Sequence, residues 1–344
     1  MSRRRLVLAA FAVLSAGSAV HSISAVGEAA PARDPKIMAL ANAAAKCKFE
    51  DEYFDTECKA YVAWTDEEKL FDEGKGDPTL LSMLEDPDLK IRTLAVAKGI
   101  PAAAFSTKPL VEKLLAIGKT EKNANILHTL GSLSARVDLE KHGLVGKLGE
   151  LAVHPEAAFR DSFAFHVYAD KQTPERLAIV KVLVADKDAK VRKSAYTTLS
   201  MGAQRAKDNT EACKLMGAQL DKTDETHGDM LWSAGSSKCT SIYETLGSTL
   251  VKRSADLAVV EKHGVTYSLA ISFMCGNGGA KAKGFVAAKM LTDTKVKNVN
   301  VRAAAVDCLA SCDPVAAKPV LTALSKDKEK YVAERATKEL AKLK

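Results

Sequence analysis

The chain has 344 residues, of which 47% are hydrophobic and only 6% aromatic, and its formal net charge at pH 7 is +7. Alanine, leucine, valine and lysine dominate the composition, which suits helices that pack through small and aliphatic side chains. No segment alternates apolar and polar residues with a period of two, so the pattern argues against a fold built on β-sheets.

The first 24 residues have the layout of an export signal. Three arginines at positions 3–5 precede an apolar stretch, residues 6–20, that is too short to span a membrane. Small residues follow, so we predict a cleavable signal peptide over residues 1–24 and an extracytoplasmic product, periplasmic or secreted. Residues 2–7 also resemble a twin-arginine signal, which leaves the export route open. No later apolar run is long enough to anchor the mature chain in a membrane.

An N-terminal helical cap is predicted over residues 25–75. The scarce aromatic residues concentrate between Cys47 and Phe71, and acids far outnumber bases in residues 47–88, whereas the rest of the chain is basic. The end of a helical repeat array packs against nothing unless it is capped. We therefore interpret these aromatic side chains as sealing the end of the core, with an aromatic ligand site as the alternative.

Residues 76–344 contain a recurring phrase. An acidic or turn segment precedes an aliphatic residue and arginine, followed by alanine and leucine at helical spacing; the clearest copies have Ile91, Val191 and Val301 as the aliphatic residue. The spacing predicts about eight units of roughly 31 to 39 residues. Val191 with the later Ala195 and Leu199 would form one apolar helix stripe. Asp86, Asp186 and Asp327 are expected to cap the helix that follows each of them.

This phrase resembles the HEAT-repeat family, in its short form named after phycobilisome lyases, and the export signal points to a secreted bacterial member. The Trp, Gly and Tyr pattern of tetratricopeptide repeats is absent. The resemblance implies an all-α superhelix, an α-solenoid of about eight HEAT-like helix pairs. It also implies a structural ladder of Asp–Arg pairs, with Arg92, Arg160, Arg192 and Arg302 in the arginine position. A row of arginines that binds an anion is the alternative.

All seven cysteines lie in the predicted mature chain, where an oxidising compartment favours disulfides. Cysteines 47 and 58 can bond only across a turn, and the pairing within the last group stays open, with one thiol left over. The candidates are Cys47 with Cys58, Cys213 with Cys239, and Cys275 with Cys308 or Cys312. No CxxC motif is present and no histidine stands at ligand spacing from the last pair, so we predict no metal site.

Catalytic signatures are missing from the sequence. It contains no GxSxG, HExxH or Walker loop, and the glycine-rich residues 276–284 are followed by Phe285 instead of a Walker lysine. His142 and His263 each occur in the sequence Glu-Lys-His-Gly, and we interpret both occurrences as helix ends. The other histidines of the predicted mature chain are interpreted as isolated: His128, His154, His166 and His227. We predict no catalytic or cofactor-binding residues and no cofactor.

The function we predict is a noncatalytic extracytoplasmic scaffold whose superhelix binds a protein partner along an extended surface. Because the repeat region is basic, an anionic surface is a second candidate partner, whereas the export signal argues against nucleic acid. Two alternatives remain: an enzyme or enzyme accessory with a site in the concave groove, and a structural envelope component. Any further chemistry is expected in residues 203–290, where the phrase fades.

Overall fold

The computed structural model of the protein describes residues 33–71, 76–98, 105, 107–278 and 296–343. The predicted signal peptide, residues 1–24, lies outside these ranges. The described part is mostly helical, with seventeen α-helices and one two-stranded hairpin, which confirms the all-α prediction. None of the helices in the described ranges combines the length and the apolar character that crossing a bilayer requires.

The first ten helices and the two strands take up the N-terminal part of the described chain. Their bounds are α1 Pro35–Ala44, β1 Phe49–Glu50, β2 Tyr53–Phe54, α2 Lys59–Asp66, α3 Asp77–Met83, α4 Leu89–Lys98, α5 Lys108–Thr120, α6 Ala124–Arg136, α7 Lys147–Ala152, α8 Ala157–His166, α9 Pro174–Leu183 and α10 Ala189–Arg205. Seven helices follow, together with a short 3-10 helix at Thr240–Ile242. They are α11 Thr210–Gly217, α12 His227–Ser236, α13 Tyr243–Arg253, α14 Leu257–Gly278, α15 Val299–Cys312, α16 Pro314–Leu324 and α17 Lys330–Lys342.

The N-terminal segment folds its aromatic residues against α4. Helices α1 and α2 both contact α4, and the indole of Trp64, which is completely buried, donates a hydrogen bond to the Leu94 carbonyl over 3.0 Å. Strands β1 and β2 pair antiparallel around a two-residue turn, Asp51 and Glu52, whose positive φ angles suit a tight hairpin. The aromatic side chains of this segment are therefore mostly core residues, with Tyr53 exposed as the exception.

From α4 to α14, alternate helices pack on one another, and the series continues through α15 and α17. We call the series α4, α6, α8, α10, α12, α14, α15 and α17 the stacked row, because each member contacts the next. Helices α5, α7, α9, α11, α13 and α16 each pack against a member of the row that adjoins them in sequence. The predicted stripe of α10 points into this packing: Val191, Ala195 and Leu199 are all completely buried.

Glycine allows the closest approach within the row. A Cβ atom added to Gly131 of α6 would overlap the backbone carbonyl oxygen of Phe159 in α8. The two helix backbones are therefore nearer to each other than a side chain at this position would permit.

The helix caps differ from the prediction by two residues. Asp188, and not Asp186, is the N-cap of α10 and accepts a hydrogen bond from the Lys190 amide over 2.8 Å. Asp186 accepts from the amide of Asp188 itself. Asp86 stands in the same relation to Asp88, and Asp327 accepts from the amide of Glu329, the residue that precedes α17. The predicted aspartates thus accept hydrogen bonds from amides of the loop, because a second residue stands nearer to the helix and takes the capping position.

Candidate interaction surface

Four arginines hydrogen-bond to the loops that precede their helices, and each does so with the same pattern of acceptors. We call Arg92, Arg160, Arg192 and Arg302 the arginine set. In each, Nη1 donates to the carbonyls of the residues six and five positions earlier. For Arg302 these distances are 2.9 Å and 2.7 Å. The guanidinium groups thus satisfy loop carbonyls that would otherwise lack a donor.

The other edge of each guanidinium reaches an acid of the following loop. Arg160 donates two hydrogen bonds, of 2.7 Å and 3.0 Å, to the carboxylate of Asp186. Arg302 binds Asp327 in the same bidentate way. Burial raises the pKa of Asp186, but hydrogen bonds led by that from Arg160 outweigh it and leave the pKa below its usual value.

The remaining members of the arginine set pair less regularly. Arg92 binds Glu121 over 3.0 Å, and Arg192 lies 3.3 Å from Asp224 and 2.7 Å from Glu225. Asp86 is bound instead by Arg33. Both edges of the guanidinium groups are occupied, so these arginines link consecutive loops. The geometry therefore gives no support to a row of arginines that binds an anion.

His154 occupies the position that Asp86 and Asp186 hold in the loops before Arg92 and Arg192. Its Nδ1 accepts from the Glu156 amide over 3.2 Å, as Asp186 accepts from Asp188. Its Nε2 therefore carries the proton and donates to the Gly118 carbonyl, 3.1 Å away. The interpretation of His154 as isolated is wrong, since this side chain is part of the tie between two loops.

Six cysteines form three disulfides. Cys47 bonds to Cys58 beside the hairpin. The other two bonds join helices or the segments that adjoin them: Cys213 to Cys239, and Cys275 to Cys312. Cys308 keeps its thiol, buried with its Sγ 3.8 Å from the Sγ of Cys312. No group of residues suited to bind a metal ion was found in the described ranges.

We expect denatured but unreduced protein, isolated from an oxidising compartment, to take up one alkyl group per molecule, at Cys308. After reduction, all seven cysteines should react. Intact mass spectrometry counts the groups, and Cys308→Ala serves as the control, with no label before reduction. Labelling of seven thiols without reduction would contradict both the disulfides and an oxidising environment.

The stacked row exposes two cavities on one face. The first, which we call the aromatic cavity, has a volume of about 400 Å³ and lies between α10, α12 and α14. Its walls include Met201, Trp232 and Phe273, and the two rings meet edge to face with centroids 6.4 Å apart and planes at 75°. Phe273 remains 41% exposed, so the cavity is open to solvent.

The second cavity, which we call the C-terminal cavity, measures about 440 Å³ and lies between α14, α15 and α17. Leu269, Ala304 and Tyr331 contribute apolar wall. Leu269 precedes Phe273 by one turn of α14 and is 45% exposed, so the two side chains form a ridge between the cavities. We call the two cavities and this ridge the row surface.

The described polar groups of the C-terminal cavity include an ion pair. Asp307 is held by Arg335, which binds it through two nitrogens and also contacts the Tyr331 hydroxyl. The hydrogen bond to Asp307 raises the pKa of Arg335, which keeps the pair charged. Cys308 is buried, and no histidine stands among the described residues of the wall. Ser268 is different: its hydroxyl is buried and has no hydrogen-bond partner among the described residues.

A buried cluster joins α12 and α14. His227 Nε2 lies 2.6 Å from the Tyr267 hydroxyl, and its ring centroid lies 4.6 Å from that of His263. Burial raises the pKa of Tyr267 to about 12 and lowers the pKa of His263, so both side chains favour their neutral forms. Two interpretations are thus wrong. His227 is not isolated, and His263 does not end a helix, because the apolar stripe of α14 continues on both sides of it.

The residues of the row surface carry no motif that a single sequence displays. Trp232, Leu269 and Phe273 all fall in residues 203–290, where the repeat phrase fades. Residues 276–278 of the glycine-rich run end α14, and residues 279–284 lie outside the described ranges. Comparison of the chain with protein-family models found no match, and comparison with curated proteins found none either.

Proposed function

We propose that this chain is an α-solenoid of HEAT-like units and a noncatalytic scaffold that binds a protein partner outside the cytoplasm. The observation that carries the proposal is the row surface, where Leu269 and Phe273 lie exposed between two cavities and the half-buried Trp232 forms a wall of one of them. Clustered aromatic and aliphatic side chains beside pockets are typical of the centre of a protein interface.

The solenoid part of the proposal is supported by repetition along the chain. The eight helices of the stacked row contact one another in order from α4 to α17, as helix pairs stacked in one direction would. The arginine set recurs with the same two carbonyl acceptors in its own loop and an acid in the next. In such an array each unit contacts only its neighbours, and one row of helices presents a long surface.

The location outside the cytoplasm is supported by two independent features. The N-terminal sequence has the layout of a cleavable export signal. Three disulfides are formed by six of the seven cysteines, a proportion that is rare in reducing compartments.

A photo-crosslinking amino acid placed at Leu269 tests this function. In the native host, we expect illumination to join the protein to a discrete partner, seen as a shifted band and identified by mass spectrometry. The matched control is the same amino acid at Val182 of α9, which is 49% exposed but lies outside the stacked row. Absence of an adduct at Leu269, or equal adducts at both positions, would refute a partner at the row surface.

A further inference from the structure

We propose that the aromatic cavity binds a peptide segment in which an aromatic or long aliphatic side chain is followed closely by a carboxylate. Lys238 is the residue that pairs with this carboxylate. The inference rests on the proposed function, because it assigns the class of partner to one part of the row surface.

The shape of the cavity suits a side chain. Trp232 and Phe273 meet at 75°, so their rings form the two walls of a wedge, with Met201 as a further apolar wall. A ring or aliphatic chain inserted there contacts aromatic surface on two sides. A sugar ring, by contrast, stacks on an open flat aromatic face, which this arrangement does not offer.

The charge of the cavity is positive. Among the described residues that line it, Lys238 is the one charged residue, and none of the described carboxylates pairs with its ammonium group. The other polar wall residues are neutral: Thr197, Ser200, Gln204, Ser236 and Asn277. A carboxylate that follows the inserted side chain would therefore meet a complementary charge, with no acid among the described wall residues to repel it.

The backbone holds Lys238 at a position where glycine would be easier to accommodate. Lys238 follows Ser237, the C-cap of α12, and has a φ of 62°. Glycine adopts this left-handed conformation at helix ends without the steric penalty that a side chain incurs. A lysine here places a cation at the cavity at some cost in stability, which is the pattern expected of a side chain used for binding.

The ridge of Leu269 and Phe273 sets the direction of the bound segment. Neighbouring helices of a row are about 8–10 Å apart, and an extended chain advances about 3.3 Å per residue. A segment anchored in the aromatic cavity therefore reaches the C-terminal cavity roughly three residues later. There the buried, unpartnered hydroxyl of Ser268 can hydrogen-bond to it.

Selection from a phage library of random dodecapeptides on the full-length mature protein tests the inference. We expect the enriched peptides to carry Phe, Tyr, Trp or Leu followed within two positions by Asp or Glu. Fluorescence anisotropy of one labelled peptide should show affinity about tenfold lower for Lys238→Gly and Lys238→Gln, and nearly unchanged for Lys238→Arg. The thermal midpoint of Lys238→Gly should equal or exceed that of the wild type, which separates lost binding from lost folding.

Four results would overturn the inference. Enriched peptides without an acid, or wild-type affinity in Lys238→Gly, would remove the role of Lys238. If Phe273→Ala still abolished peptide binding in either of these cases, the cavity would remain a peptide-binding site and the scaffold function would stand. Binding of an oligogalacturonate in place of any peptide would assign the cavity to an acidic glycan. If no peptide is enriched and no adduct forms at Leu269, the proposed function falls as well.

Discussion

Gly131→Val should abolish the stable packing of α6 against α8. Any Cβ at this position overlaps the backbone carbonyl of Phe159, and a backbone atom cannot move aside as a flexible side chain can. The helices would have to separate, which exposes buried Leu130 and Phe163. We expect a loss of about 3 kcal/mol or more in the free energy of unfolding, measured by circular dichroism during urea denaturation.

Gly149→Ala provides the matched control for this variant. Gly149 is a helical glycine in α7, but it is exposed and its Cβ would meet no atom within 4 Å. Alanine has the higher helix propensity, so stability should rise by up to about 1 kcal/mol. Equal stabilities of Gly131→Val and the wild type would show that α6 and α8 are not packed at this distance.

Arg176→Met should destabilise the chain by about 3–5 kcal/mol, because it removes the donors from a buried polar cluster. Arg176 is only 1% exposed and stands in the first turn of α9. Its guanidinium donates to the carbonyls of Ala135, Val137 and Val167 and binds Glu140 over 2.8 Å. Methionine fills much of the volume but leaves three carbonyls and a carboxylate without this partner.

Arg205→Met is the comparison that isolates burial. Arg205 also donates to a carbonyl, that of Ala169, and pairs with Asp170 at 3.6 Å, but its side chain is 52% exposed. Solvent replaces those contacts, so the loss should stay below about 1 kcal/mol. Urea denaturation of both variants measures the difference. Losses of similar size would contradict a buried role for Arg176.

The helical content and the core stripe could be predicted from the sequence because both are local. The spacing of Val191, Ala195 and Leu199 alone defines a helix face, and all three are buried in the structure. The choice of capping residue could not be predicted, because two aspartates, Asp186 and Asp188, compete for it. Only the backbone path decides which one stands at the first turn.

The row surface could not be predicted, because its residues come from different helices. Trp232 and Phe273 meet only after α12 and α14 have packed, and the same is true of His227 and Tyr267, which lie 40 residues apart in the chain. Repeat phrases are recognised by core and loop positions, whereas the exposed positions that build a binding surface follow no period. A pattern search therefore misses them.

The repeated arginine arrangement is missing from one stretch of the described chain, and this affects the order in which the parts of the fold become stable. Between Arg192 and Arg302 none of the described arginines repeats the arrangement. The Cys213–Cys239 disulfide lies in this interval, and the Cys275–Cys312 disulfide joins its last part to the end of α15. Ion pairs form as soon as helices dock, but each disulfide requires the transfer of two electrons to an oxidant. Helices α4 to α10 can thus consolidate at once, while the segment from α11 to α15 is completed only where an electron acceptor is at hand.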